Sequence, residues 1–188
     1  FYKGQLIPAP ELTSHALPEI LRSPWTFIDS AGCGFDEEKE VGSESTMNSS
    51  EAEFVLKRTL EILTGCPSFQ VGVIAPYRAQ VAELQRQFEE LDEYMTFRDR
   101  VEFATVDSFQ GQERDAIVIS LTRSNAEGEV GFLKEYRRTN VAMTRAKHHL
   151  LMVGDGATLG SDDFYHQLME RAEISGAYHS AWEWLYAS

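Results

Sequence analysis

Between Val101 and Gly154 the chain carries two short apolar runs, Ala116-Ile-Val-Ile-Ser-Leu121 and Leu150-Leu-Met-Val153. They constrain the fold more than any other feature. A strand with one face in water alternates apolar and polar residues, whereas a short, nearly continuous apolar run fits a strand buried on both faces, as in parallel sheets. The polar segment Thr105-Val-Asp-Ser-Phe-Gln-Gly-Gln-Glu113 precedes the first run, and Arg137-Arg-Thr-Asn-Val-Ala-Met-Thr-Arg-Ala-Lys147 separates the two. The stretch therefore reads as strand, polar loop, strand, arginine-bearing helix, strand. A glycine-tipped polar loop and a helix edged with arginines are candidate parts of a nucleotide site.

The rest of the chain supplies the context for such a sheet. At 188 residues it has the length of one domain with a single sizeable core. No run approaches the ~18 to 20 apolar residues that span a bilayer, so no membrane partner is expected. Phe1-Tyr-Lys-Gly4 has neither an initiator Met nor a basic-then-apolar leader, and reads as the start of an excised piece. Cys33 and Cys66 lack metal-ligand spacing, which points to thiols in a reducing, intracellular setting, cytoplasmic or nuclear, and to no metal site. The net charge of −13 argues against a broad cationic face for phosphates. Its sign is uneven, however: residues 35 to 53 are acidic, while Arg137, Arg138, Arg145 and Lys147 form a local basic cluster.

In chain order, residues 1 to 24 hold Pro8, Pro10, Pro18 and Pro24 and read as an extended lead-in. Trp25 to Asp29 is a candidate first strand, and Ala31 to Met47, rich in Gly, Ser and acid, a mobile surface loop. Asn48 with Glu51 three residues on predicts a capping box, opening a helix from Ser49 to Leu63 that buries Phe54, Val55, Leu60 and Leu63. Gln70-Val-Gly-Val-Ile-Ala75 reads as a strand. Pro76 to Gln80 turns into a helix reaching Leu91, with Val81, Leu84, Phe88 and Leu91 at helical spacing. Residues 92 to 100 are charged and expected to be exposed. Asp163 to Ala172 is another helix, and Ser180 to Tyr186 an aromatic-rich turn. Strands alternating with helices predict an α/β fold, a parallel sheet covered by helices on both faces.

The arginine segment reads as one helix, with Thr139, Ala142, Met143 and Ala146 on a buried stripe small enough to lie close on a sheet and Lys147 on its other flank. At about 100° per residue, Arg138 and Arg145 then share one edge of that stripe, with Arg137 pointing away from the core.

Several of these segments, in order, resemble the signature motifs of superfamily 1 helicases. The loop Thr105 to Glu113, the strand ending Leu121-Thr-Arg-Ser-Asn125, Val130-Gly-Phe-Leu133 and Arg137 to Lys147 are similar to the last two. Val73-Ile-Ala-Pro-Tyr-Arg-Ala-Gln80 looks like the motif before them, and Ser45-Thr-Met-Asn-Ser-Ser-Glu-Ala52 like the lead into its helix. Phe1-Tyr-Lys-Gly-Gln-Leu6 looks like the segment that follows an earlier arginine-bearing motif. The match is best to the up-frameshift-like branch, which includes senataxin and the Dna-two type enzymes, and it covers nearly the whole chain.

The resemblance implies a RecA-like fold over residues 1 to 188, the C-terminal motor lobe of a helicase. The phosphate loop Gly-x-x-x-x-Gly-Lys-Ser/Thr is absent from this sequence. The run Asp36 to Glu38 follows Gly-Cys-Gly-Phe rather than an apolar strand, so it is not a magnesium-holding acidic box. ATP and Mg2+ are then bound mainly by a first lobe that this chain lacks, and the lobe alone should not hydrolyse ATP. By resemblance Arg145 is the arginine finger, the one catalytic residue. Glu113, Gly111, Gln110 and Arg138 are ATP contacts, Glu113 meeting the ribose. Pro76, Tyr77, Arg78, Thr105, Val106 and Ser108 contact a single strand of DNA or RNA. Arg123 and Arg138 either link the two sites or pair with acids. The rival is a non-catalytic RecA-like module kept as a binding or scaffolding surface. A dinucleotide fold is disfavoured because no Gly-x-Gly-x-x-Gly occurs.

Overall fold

A computed structural model describes residues 21–40, 42–43, 45–109 and 111–186. The segment holding Phe1 to Leu6, Pro8, Pro10 and Pro18 lies outside these, as does Gln110. Among the described residues the main sheet has six strands: β1 (Trp25–Asp29), β4 (Val71–Ala75), β5 (Val101–Thr105), β6 (Arg114–Ser120), β7 (Ala146–Gly154) and β8 (Tyr178–Ser180). Their spatial order is β5-β4-β6-β7-β1-β8 and every pairing is parallel. The short strands β2 (Glu38–Lys39) and β3 (Thr46–Met47) make a separate antiparallel ribbon. The segment 31 to 47, expected to be a loop, is thus partly structured, and Phe35 within it is buried.

The two faces of the sheet explain its apolar runs. Val71, Val73 and Ala75 of β4, Ala116 and Val118 of β6, and Leu151 and Val153 of β7 face one core. The alternate residues Ile74, Ile117, Ile119, Leu150 and Met152 face the other. Both faces being dry, neither set can be polar. The first core is closed by α1 (Ser49–Gly65) and α2 (Arg78–Glu90). The short helix α3 (Asp92–Met95) adds Tyr94, a buried residue in a stretch expected to be exposed. The second core is closed by α4 (Tyr136–Met143), the short α5 (Gly156–Leu159) and α6 (Asp163–Ile174). A last short helix, α7 (Trp182–Leu185), follows β8. The fold is α/β and RecA-like, with helices on both faces of a parallel sheet. Among the described residues no helix is long and apolar enough to cross a membrane.

Burial of Phe54, Val55, Leu56, Ile62 and Leu63 ties α1 to the sheet, each side chain contributing about 1.5–3 kcal/mol relative to exposure. Leu60 is only partly buried, and Leu91 at the end of α2 is 45% exposed. The capping box is half formed. Asn48 Oδ1 accepts from the Glu51 N–H at 2.9 Å, but the Asn48 N–H donates to Gln80 Oε1 at 2.6 Å. The Glu51 carboxylate instead reaches the sheet, accepting from Ser120 Oγ at 2.5 Å and the Thr122 N–H at 2.8 Å.

Candidate nucleic-acid cleft and nucleotide edge

The strand order forces an unusual connection. Strand β4 lies between β5 and β6, so the chain leaving β5 must pass over β4 to begin β6. The described residues of the 106 to 113 connection do this without a helix, on the face that carries α4. Phe109 lies directly on Gly72 of β4, where an added Cβ would stand 2.6 Å from the Phe109 ring. Only a glycine permits that approach. Gly111, at φ 82°, then turns the chain in the left-handed region. Because the strands are parallel, the loop starts where β5 ends and stops at the opposite edge, where β6 begins. The distance is the length of a five-residue strand, roughly 16 Å. Thr105 and Ser108 therefore stand at one edge of the sheet and Gly111 and Glu113 at the other.

At the first edge Pro76, Tyr77, Arg78, Thr105 and Ser108 line one cleft of about 500 Å3, together with Asp107 and Arg138. Five of the six strand-contact residues expected from the sequence are thus brought together. The sixth, Val106, packs in the second core and its side chain is unavailable to a ligand in the cleft. Thr105 and Ser108 are linked through their hydroxyls at 2.9 Å, and Arg78 is exposed at the start of α2. Arg138, grouped by resemblance with the ATP contacts, also lines this cleft, paired with Asp107 and with Glu135, both at 3.2 Å. Arg123 pairs with an acid, Glu37, at 2.8 Å and donates to the Tyr77 hydroxyl at 3.3 Å. Glu37 Oε2 also accepts from the Ser124 N–H at 2.7 Å and from Asn125 at 3.1 Å.

The second edge corrects the arginine-helix geometry. Helix α4 ends at Met143 with Thr144 as its cap, and Ala146 and Lys147 already belong to β7. Arg114 is paired with Ala146 in the sheet, and its N–H donates to the Arg145 carbonyl at 3.1 Å. Pairing with β6 therefore claims the backbone that a longer helix would use. Arg138 and Arg145 do not share an edge: they stand near opposite ends of α4. Arg145 folds back on the helix terminus, with Nε donating to the Val141 carbonyl at 3.1 Å, Nη2 to Thr144 Oγ1 at 3.2 Å and Nη1 to the Gln112 carbonyl at 3.5 Å. All three acceptors are neutral, and among the described residues no carboxylate pairs with Arg145 or cation with the Glu113 carboxylate. Glu113 is exposed. Residues 113 and 145 immediately precede Arg114 and Ala146, partners on adjacent strands, so both sit at the same open edge.

Sequence reading missed Phe132, which is 56% exposed and lines the cleft, and Asp107, Ser43 and Ser45 beside it. Phe132 lies in a single 3-10 turn, Gly131–Lys134, too short for periodicity to assign an outward face.

Three comparisons bear on what this arrangement belongs to. The family model described as AAA domain (AAA_12) matches residues 1–157. DNA-binding protein SMUBP-2 of Mus musculus is 34% identical over 98% of this chain and 19% of its own length. Helicase sen1 of Schizosaccharomyces pombe is 38% identical over 72% of this chain and 8% of its own. DNA replication ATP-dependent helicase/nuclease DNA2 of Xenopus laevis is 38% identical over 78% of this chain and 14% of its own. The chain thus spans about a fifth or less of these relatives. A solved structure, the C-terminal domain of a possible DNA helicase from a Lactobacillus, is 11% identical at a TM-score of 0.43, covering 84% of this chain and 85% of that one. That likeness is too low to add to the strand order. The chain belongs to the AAA domain family. Within it, the relatives are superfamily 1 helicases of the up-frameshift-like branch, and this chain is one of that branch.

Proposed function

We propose that this chain is the C-terminal motor lobe, one RecA-like domain over residues 1 to 188, of an ATP-dependent helicase acting on single-stranded DNA or RNA. Its cleft holds the strand through Pro76, Tyr77, Arg78, Thr105 and Ser108, with Val106 contributing main chain only. Its opposite edge presents Arg145 as the arginine finger and Glu113 as the ribose acceptor, with Gly111 and Gln110 shaping the loop beside them. ATP with Mg2+ is held mainly by a first lobe in the parent protein and supplies the free energy of translocation, so the lobe alone is inactive as an ATPase. One observation carries this reading: residues 106 to 113 and helix α4 lie on the same face, and each has one end at the cleft and the other at the edge. A pair of elements joining two sites can transmit closure at one as altered grip at the other. Arg138 and Asp107, paired across these elements at the cleft end, form one of the cross-links.

Two measurements on the intact protein test the two halves. Arg78→Gln with Arg138→Gln should weaken single-strand binding and reduce the slope of log affinity against log salt by about 0.7 for each phosphate no longer neutralised. An unchanged slope in a fluorescence titration would remove these arginines from the strand track. Glu113→Ala should weaken nucleotide binding about 10-fold, the scale of one charge-assisted hydrogen bond at roughly 1.5 kcal/mol. Unaltered affinity by calorimetry would reject the ribose contact.

A further inference from the structure

Phe132 is the feature of the cleft that the motif roles leave unexplained. A single exposed phenylalanine usually needs no account. This one is held from beneath by buried polar groups. Its N–H donates to the Tyr77 hydroxyl at 3.2 Å, and the two rings lie 5.5 Å apart at 33°. The same hydroxyl accepts from Arg123, a residue only 8% exposed whose guanidinium is anchored by Glu37 at 2.8 Å. Gly131, at φ 54°, lies so close on this pair that a Cβ there would fall 1.9 Å from Arg123 Nη1 and 2.7 Å from the Tyr77 hydroxyl oxygen. Burying an arginine is costly unless it is paired and hydrogen-bonded. Here the paired cation packs beneath a turn that carries an exposed aromatic ring lining the cleft.

We infer that Phe132 is a stacking platform for one base of the bound single strand, with Tyr77 and Arg123 as the positioning residues beneath it; this rests on the strand-cleft reading above. The surroundings favour a base over other apolar ligands. Beside it the cleft presents the hydroxyls of Thr105 and Ser108 and the guanidinium groups of Arg78 and Arg138, the latter paired with Asp107; hydroxyls and guanidinium groups suit a sugar–phosphate chain. An aromatic face beside hydroxyls and guanidinium groups suits a single strand bound without reading sequence, because every base has a π face.

The test is an abasic scan in the intact protein. A fluorescent homopolymeric single strand and versions lacking one base at successive positions are titrated against wild type, Phe132→Ala, Phe132→Trp and Tyr77→Phe. Phe132→Ala should weaken binding of the complete strand by about 5- to 150-fold, the range for one stacked base. In wild type, one abasic position should cost a similar factor, and Phe132→Ala should abolish that difference. Phe132→Trp should restore it. Tyr77→Phe, which loses the hydroxyl under the turn, should diminish it while leaving the salt slope unchanged. An identical abasic profile in wild type and Phe132→Ala would overturn the stacking role. A loss equal at every abasic position, joined to reduced ATP turnover, would place the ring against a partner lobe and overturn it as well. If wild type binds no single strand at all, the strand-cleft reading itself fails, and the two failures are told apart.

Discussion

In the intact protein, Arg145→Ala is expected to lower strand-stimulated ATP turnover by about 10³- to 10⁵-fold while leaving nucleotide binding largely intact. A cation that acts on charge developing in the transition state contributes to the rate and little to ground-state affinity. The geometry suits such a group. Arg145 is partly exposed, its three hydrogen-bond acceptors are two carbonyls and a hydroxyl, and no carboxylate among the described residues neutralises it. A bland alternative is visible in the same contacts, since a cation at a helix C-terminus stabilises it by about 0.3–1 kcal/mol. The two differ sharply in outcome. A cap alone predicts a slightly lower melting temperature and near-normal turnover, and that result would reject the finger. Arg145→Lys separates them further, because lysine keeps the charge at the helix end but not the planar fork that meets a phosphoryl group.

The second large effect concerns stability. Glu51 is fully buried, one carboxylate oxygen accepts from Ser120 and Thr122, and the other, Oε2, has no hydrogen-bond partner. Burial above all, offset by those two hydrogen bonds, pushes its carboxyl up to about 7. The folded chain thus holds this proton more tightly than the unfolded chain, whose carboxyl titrates near 4.5. The stabilising contribution is fully present below about pH 4.5 and is lost as the pH rises through about 7. Glu51→Gln keeps an acceptor for Ser120 and Thr122 and removes the charge. Relative to this variant, wild type is expected to lose on the order of 3 kcal/mol of unfolding free energy between about pH 4 and pH 8. Urea titrations of both proteins at the two pH values measure the difference, in which other titrating groups cancel. A difference independent of pH would show that Glu51 is ionised at little cost. The site has a structural consequence too: Thr122 sits at φ 73°, rare for a β-branched residue, and the Glu51 carboxylate holds its N–H just before Arg123 enters the Tyr77 contact.

Much of the fold was legible because its signals are local. The runs at Ala116 and Leu150 announce strands with two dry faces, the spacing of Leu84 and Phe88 announces a helix packed on one side, and Asn48 announces a helix start. The errors have a common cause in competition from distant partners. Arg-Ala-Lys147 is as good a helix as a strand by its own preferences, and hydrogen bonds from β6 decided for the strand. Glu51 was assigned to its own helix terminus and was taken by Ser120 and Thr122, some seventy residues away. Leu91 fitted the helical spacing but lies past the last residue of α2, where no neighbour covers it.

The motifs were likewise readable one by one, but the spatial grouping of their residues was not. By itself the sequence determined the strand and helix alphabet, the two-sided burial of the sheet and the order of the helicase motifs, since each depends on side-chain chemistry within a few residues. Only the tertiary structure decided that Arg138 joins Thr105 and Ser108 rather than Arg145, that Val106 faces inward and that Phe132 faces out. Those outcomes follow from β4 lying between β5 and β6, which sends residues 106 to 113 across the sheet from one edge to the other. Strand order is set by which buried faces and backbone partners best satisfy one another across the whole chain, and no local window contains that balance.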